Sequence, residues 1–241
     1  MKITLKVVLA AALYLVLLHA VSPRHGVSVL YAESARRAAS PDGDAFVERF
    51  LQSDRPALTS YRARRRLQAE TMGGRMRAVL DAWTYIDAEG RLQFDVIAEE
   101  GSGLIRDRVL RQALLTEQDN YNRREVRRVE LNRDNYDFTM GASAGDLVAI
   151  EMQPRRISPM LLTGTVAVTR RDGDLVRIDG TPSELPSWWT RRVDIVRRYT
   201  RIEGVRVPIE MSSRADVRIA GESTFTMTYA YTMINGRALR E

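Results

Sequence analysis

A chain of 241 residues is long enough for one large β domain or two small ones, and folding would bury roughly 70% of its unfolded surface without help from a staple. The sequence has no cysteine, which excludes disulfides, thiolate metal sites and a lipid carried on an N-terminal cysteine. Its formal charge is +6, and its two histidines are His19 and His25.

Lys2 and Lys6 precede an uncharged apolar run from Val7 to Ala20, followed by the polar Ser22, Pro23 and Arg24. As a helix of about 14 residues this run reaches roughly 21 Å, short of the roughly 30 Å hydrocarbon core of a bilayer. The pattern predicts a cleaved secretory signal, not a stable membrane anchor. Cleavage after Ala20 or Ala32 fits, each with a Leu two residues earlier (Leu18, Leu30). The second choice divides the chain into a signal, 1–32, and an exported, periplasmic domain, 33–241. Residues 1–32 carry Lys2, Lys6 and Arg24 and no acid, so the exported part has a charge of +3, all of its basic residues being Arg. An exported chain of such small charge is not expected to bind nucleic acid. Cleavage after Ala32 also removes both histidines, and with them Ser-His-Asp chemistry, Cys-His chemistry and the usual zinc sites. No cofactor or metal is expected.

In chain order, Ser34 to Pro41 is a small, polar lead-in. Asp42 to Ser53 places Phe46, Val47, Phe50 and Leu51 at helical spacing, with Asp42 as the expected N-cap. Ser60 to Thr71 alternates imperfectly, with Tyr61, Ala63, Leu67 and Ala69 set against Arg62, Arg64 and Arg66. Turns at Gly73-Gly74 and Glu89-Gly90 separate it from strands at Met76 to Asp87 and Leu92 to Ala98, a three-stranded antiparallel meander. After Gly101-Ser102-Gly103 the period changes: Leu104, Ile105, Val109, Leu110, Ala113 and Leu114 predict a helix to about Glu117. Strands follow at Tyr136 to Met140 and Leu147 to Met152, around a small-residue loop at 141–145. Then come Leu161 to Arg170, Leu175 to Asp179, an aromatic loop from Pro182 to Thr190, Arg191 to Arg201 and Val205 to Ile219. The last strand sets Phe225, Met227, Tyr229, Tyr231 and Met233 on one face against Thr224, Thr226, Thr228, Ala230 and Thr232. About ten strands and two main helices make the chain mainly β (α+β): one curved antiparallel sheet forming an incomplete β-barrel, with helices covering the open side.

Four features resemble the outer-membrane lipoprotein-sorting (LolA/LolB-like) superfamily: the helix at Phe46 to Leu51 before Tyr61-Arg62-Ala63; the helix after Gly101-Ser102-Gly103; Ser187-Trp188-Trp189-Thr190-Arg191 leading into Val193-Asp194-Ile195; and Gly204-Val205-Arg206-Val207-Pro208 with Ser213-Arg214-Ala215-Asp216-Val217. The resemblance covers roughly Asp42 to Gly236. It implies a half-barrel whose apolar interior holds acyl chains of lipids or lipoproteins.

On that reading Trp83, Tyr85, Phe94, Trp188, Trp189, Phe225, Tyr229 and Tyr231 are the candidate cavity-lining, ligand-binding residues. Each of them taken alone suits an ordinary packed core better, and it is the set together that points to a cavity. The helix from Leu104 to Glu117 is then either a lid or a fixed cap. The expected function is a periplasmic carrier of an acyl chain, lipid or lipoprotein. The alternative on the same fold is an envelope sensor or interaction domain with a protein partner. The turn at 101–103 lacks the spacing and βαβ setting of a phosphate loop. Arg123, Arg124, Arg127 and Arg128 could meet anionic headgroups, but Glu125 and Glu130 beside them fit a solvated charged face. Asp95 with Glu99 is the carboxylate pair a hydrolase would need, and nothing around them in the sequence sets them apart. No catalytic residue is expected.

Overall fold

The computed structural model describes residues 41–53, 56–123, 129–218 and 221–240. The expected signal at 1–32, the lead-in up to Ser40 and the charged stretch at 124–128 lie outside these residues. Helix α1 (Pro41–Gln52) precedes strands β1 (Tyr61–Thr71), β2 (Met76–Ile86) and β3 (Leu92–Gly101). A second helical run follows as α2 (Gly103–Ile105), a π-helical turn (Arg106–Leu110) and α3 (Arg111–Asn122). The chain then builds β4 (Tyr136–Ala144), β5 (Leu147–Pro154), β6 (Leu162–Thr169), β7 (Leu175–Pro182), β8 (Thr190–Ile202), β9 (Val205–Val217), β10 (Gly221–Ile234) and the short β11 (Arg237–Ala238).

All strands join one antiparallel sheet in the order β3-β2-β1-β10-β9-β8-β7-β6-β5-β4, with β11 added to β10. Its two ends, β3 and β4, do not pair, so the curved sheet stays an open barrel, as the alternating strands predicted. Every neighbouring pair is a local hairpin except β1 with β10, which brings Leu67 beside Met227 across more than half the chain.

Register decides which side chains meet. Leu80, Leu67, Met227, Met211, Arg197, Ile178, Val166 and Ile150 fall opposite one another on successive strands. All eight are buried, and they form the central row of the inner face. The helical run lays Ile105, Val109, Leu110, Ala113 and Leu114 onto this face, while Phe46, Val47 and Phe50 of α1 close it near β4. Each large apolar side chain so covered contributes about 1.5–3 kcal/mol. Arg201 and Arg206 pin the end of α1: Arg201 Nη2 donates to the Ser53 carbonyl at 2.6 Å, and both arginines pair with Asp174.

Several expectations need correction. Pro41 begins α1, so Asp42 lies within the first turn instead of capping it. A proline suits that first position because its missing N–H has no helical partner to lose. The small residues at 141–144 are not a loop. They continue β4 past an irregularity between Met140 and Ser143, and the turn narrows to Gly145 and Asp146. In β10 a register shift opposite Arg62 and Ala63 breaks the two-residue period. Tyr231 therefore meets Ala63 on the inner face, Met233 turns outward beside Arg62, and buried Ile234 replaces it.

Gly164 and Gly180 face each other on β6 and β7, where the two strands approach too closely for a side chain. A Cβ at Gly164 would sit 2.0 Å from the Asp179 carbonyl oxygen, and one at Gly180 would lie 3.0 Å from that of Thr163. Gly164→Ala should therefore lower unfolding free energy by at least about 2 kcal/mol, and Gly180→Ala by less. Urea unfolding checks the order, and equal effects would contradict it.

Candidate functional site

Beneath the helical run, one row along from the apolar centre, the inner face turns polar. Arg65 stands on β1 between Ala82 of β2 and Tyr229 of β10. It is 1% exposed, and Glu117 of α3, 4% exposed, meets it from above. Their ion pair is bidentate: Arg65 Nη1 donates to Glu117 Oε2, and Nη2 donates to Oε1 at 2.9 Å. Nη2 also donates to the Tyr61 hydroxyl at 2.6 Å. The guanidinium lies 4.7 Å from the centre of the Tyr229 ring and 5.9 Å from that of Tyr61. Tyr231 completes the cluster, stacked 6.1 Å from Tyr229, and its hydroxyl donates to the Pro208 carbonyl at 2.8 Å.

Burial works against the Arg65 charge, but the Glu117 carboxylate, helped by Tyr61 and Tyr229, outweighs it and holds the guanidinium pKa well above its usual range. Burial pushes the Tyr61 phenol up to about 12 and raises Tyr229 and Tyr231 as well. The cluster is thus one fixed cation, its carboxylate partner and neutral phenols. It holds the helical run to the sheet at a point where water is excluded. Further along α3, Gln118 Nε2 donates to Gln93 Oε1 at 2.9 Å, and the Leu92 N–H donates to Asn122 Oδ1 at 2.8 Å, tying the helix to the β3 edge.

The aromatic candidates separate into three groups. Phe225, Tyr229, Tyr231 and Phe94 face inward: Phe225 is buried, Phe94 and Tyr229 pack on the main core, and Tyr231 lies beside Tyr61. Trp83 and Tyr85 do not line the interior. Ala82 and Thr84 take the inward positions of β2, so Trp83 turns outward, where Arg62 lies 4.8 Å over its ring, and Tyr85 faces Asp95. Trp188 and Trp189 sit in the loop before β8, their ring centres 3.5 Å apart; Trp189 packs on the core, whereas Trp188 is 68% exposed. Asp95 and Glu99 are not a catalytic pair. They sit on opposite faces of β3, Asp95 across from Trp83 and Glu99 across from Leu80, with Glu99 bound to Arg111 at 2.7 Å. The 101–103 turn enters a helix, and Gly101, at φ +86°, packs where a Cβ would strike the Arg77 carbonyl.

Reading the sequence by charge missed Arg65, Glu117 and Arg197. The signal was present: Arg65 occupies an inward position of the 61-63-65-67-69 series, and Arg197 does so between Ile195 and Tyr199.

No family model and no curated protein matches the sequence. Among solved structures the chain is similar to a DUF1329-family protein from Desulfovibrio piger (14% identity, 78% of this chain and 90% of that one, TM-score 0.44). It is similar also to a LolA-superfamily protein from Nitrosomonas europaea (11%, 84% and 96%, 0.43) and to MucB (10%, 80% and 94%, 0.26). These likenesses assign no function. The open sheet under helices is itself the architecture that the resemblance to the lipoprotein-sorting superfamily implies. Among the described residues no helix is long and apolar enough to cross a membrane.

Glu117→Leu leaves a buried cation without its partner and should cost about 3–5 kcal/mol, whereas Arg65→Leu with Glu117→Leu should recover most of that loss. Urea unfolding of the three proteins measures it; additive losses would contradict the pairing. The phenols give a second outcome. Tyr61 holds its proton more tightly folded than at its ordinary value of 10.0, as does Tyr136, also held up to about 12 by burial. Their contribution is complete below pH 10 and is lost as pH rises toward about 12. The part of the tyrosinate absorbance that Tyr61→Phe with Tyr136→Phe removes should therefore rise together with unfolding, not before it.

Proposed function

We propose that the chain is a non-catalytic binding protein of the cell envelope, exported to the periplasm, that shelters an acyl chain, a lipid or the lipid part of a lipoprotein between its sheet and its helical lid. One observation carries this reading: the lid is fastened to the sheet by a buried ion pair. An apolar pair of the same volume would fix the helix at least as firmly, because desolvating two charges offsets most of their attraction. A buried salt bridge at that joint suits a fastening that opens to water.

Once the helical run lifts, the Leu67, Leu80 and Met227 row is laid bare, flanked by Phe225, Phe94, Tyr229 and Tyr231. A linear chain entering that space would gain about 0.8 kcal/mol per buried methylene. Trp189, at the end of the sheet, would stand at its mouth. No acid–base pair is needed for such a role.

The alternative of an envelope interaction domain has its own support. With the lid down, the inner row is covered by the protein's own side chains, so in this state partners are met by the outer surface.

Locking the lid separates the two. The chain has no native cysteine, so Gln93→Cys with Gln118→Cys can be joined selectively by a short bifunctional thiol reagent. Uptake of a fluorescent fatty acid should be lost in the joined protein and return when a cleavable linker is cut. Equal uptake by locked and unlocked protein would contradict the lid.

A further inference from the structure

Strand register decides which turns share one end of the sheet. Thr71 pairs with Met76, Glu70 with Thr224, Gly221 with Val217, Val217 with Thr190, Leu162 with Pro182 and Tyr136 with Pro154. The turns at 72–75, 155–161 and 183–189 therefore lie along one rim, together with Arg218 after β9. Gly101 pairs with Ala78, which brings the start of the lid at Leu104 to the same rim.

Among the described residues seven large apolar side chains are exposed, and five of them, Met72, Leu104, Ile157, Leu185 and Trp188, stand on this rim. Ile157 is 80% exposed and Trp188 68%. The turns of the opposite rim hold none. The loops carrying Ile157 and Trp188 are braced together: the Ser158 N–H donates to Ser183 Oγ at 3.0 Å, Ser183 Oγ donates to the Ser158 carbonyl at 2.8 Å, and the Arg218 N–H donates to the Trp189 carbonyl at 3.0 Å. These side chains are held outward by ordered loops.

Charge divides the same way. On the apolar rim the turns hold Arg75, Arg155, Arg156 and Arg218 against Glu184, and the segment 129–135 that leads into β4 at the same rim adds Glu130, Arg133 and Asp134, for a net +2. In the opposite turns, at 87–91, 145–146, 170–174 and 203–204, six acids face three arginines, a net −3.

We propose that this rim docks on an anionic phospholipid surface. Tryptophan and aliphatic tips flanked by arginine suit the boundary between headgroup and acyl chain, and the arginines are drawn to anionic lipid. The exposed side chains are spread over separate segments of the rim, at 72, 104, 157 and 185–188. The acidic opposite rim would face away from the bilayer. This inference is independent of what the inner face binds.

Co-sedimentation of the exported chain with large phospholipid vesicles tests it. Binding is expected to phosphatidylcholine mixed with phosphatidylglycerol, and to be weaker to phosphatidylcholine alone or at high salt. Ile157→Ser with Trp188→Ser should weaken it at least about tenfold, with only a small change in melting temperature, since both side chains are largely exposed and Trp188 gives up only its contact with Trp189. Arg155→Gln with Arg218→Gln should erase the preference for anionic lipid. Lipids brominated near the headgroup should quench tryptophan fluorescence of the unsubstituted protein, a readout that needs no variant. Failure to bind vesicles, equal binding by all variants, or absence of quenching would each overturn the proposal. So would capture of an envelope protein through Trp188 while vesicles are ignored.

Discussion

Arg65 is a positive charge placed inside an apolar sheet, and Glu117 is the group that makes the placement tolerable. Water reaches neither. An unpaired cation there would cost several kcal/mol, so the lid has to lie where its carboxylate can meet the guanidinium in a bidentate pair. This requirement sets the position of α3 on β1 more sharply than apolar packing, which tolerates small slides. The phenol groups of Tyr61 and Tyr231 and the ring of Tyr229 gather around the same point. Much of the inner face between β2 and β10 is arranged for this one contact.

That contact also depends on the least local pairing in the sheet. Most neighbouring strands are hairpins, whereas β1 and β10 pair across most of the chain. Closing so long a loop carries an entropic cost that local hairpins avoid. The row from Leu80 through Leu67 to Met227 and Met211 is what offsets it. The Arg65 site thus combines residues from β1, the helical run and β10, far apart in the chain.

Much of this fold was legible in the sequence. The period of two in the strands and the change of period after Gly103 located ten strands and both helical stretches, because a half-buried strand must alternate. Two faces were misread for physical reasons. A single inserted residue in β10 reverses every side chain beyond it, and nothing in Thr232 or Met233 announces the shift. In β2, the small Ala78, Ala82 and the hydroxyl of Thr84 take the buried side while Trp83 and Tyr85 turn outward. Size and aromaticity do not reveal direction when the covering helix leaves little room. The site was hidden differently: Arg65 lay among Arg62, Arg64 and Arg66, and the alternation that set those three against the apolar positions passed over it. Its place in the inward series was visible, but its partner lies 52 residues away on a helix whose rotation the sequence leaves open.

The sheet is a platform, and the proposed function asks one element to move, the helical run. Its joint is ionic, its first turns contain a π-helical segment of the kind often found at functional positions, and the face beneath it is apolar. If the ion pair is a fastening that opens, the lid must come away while the sheet stays folded. Native-state hydrogen exchange measures this directly. Amides buried in α3 should exchange through an opening of lower free energy than those of β8 to β10, with Glu117→Gln lowering the lid's value alone. If the α3 amides exchange only together with the central strands, and the substitution lowers both alike, the helix is a fixed part of the core and the account is wrong.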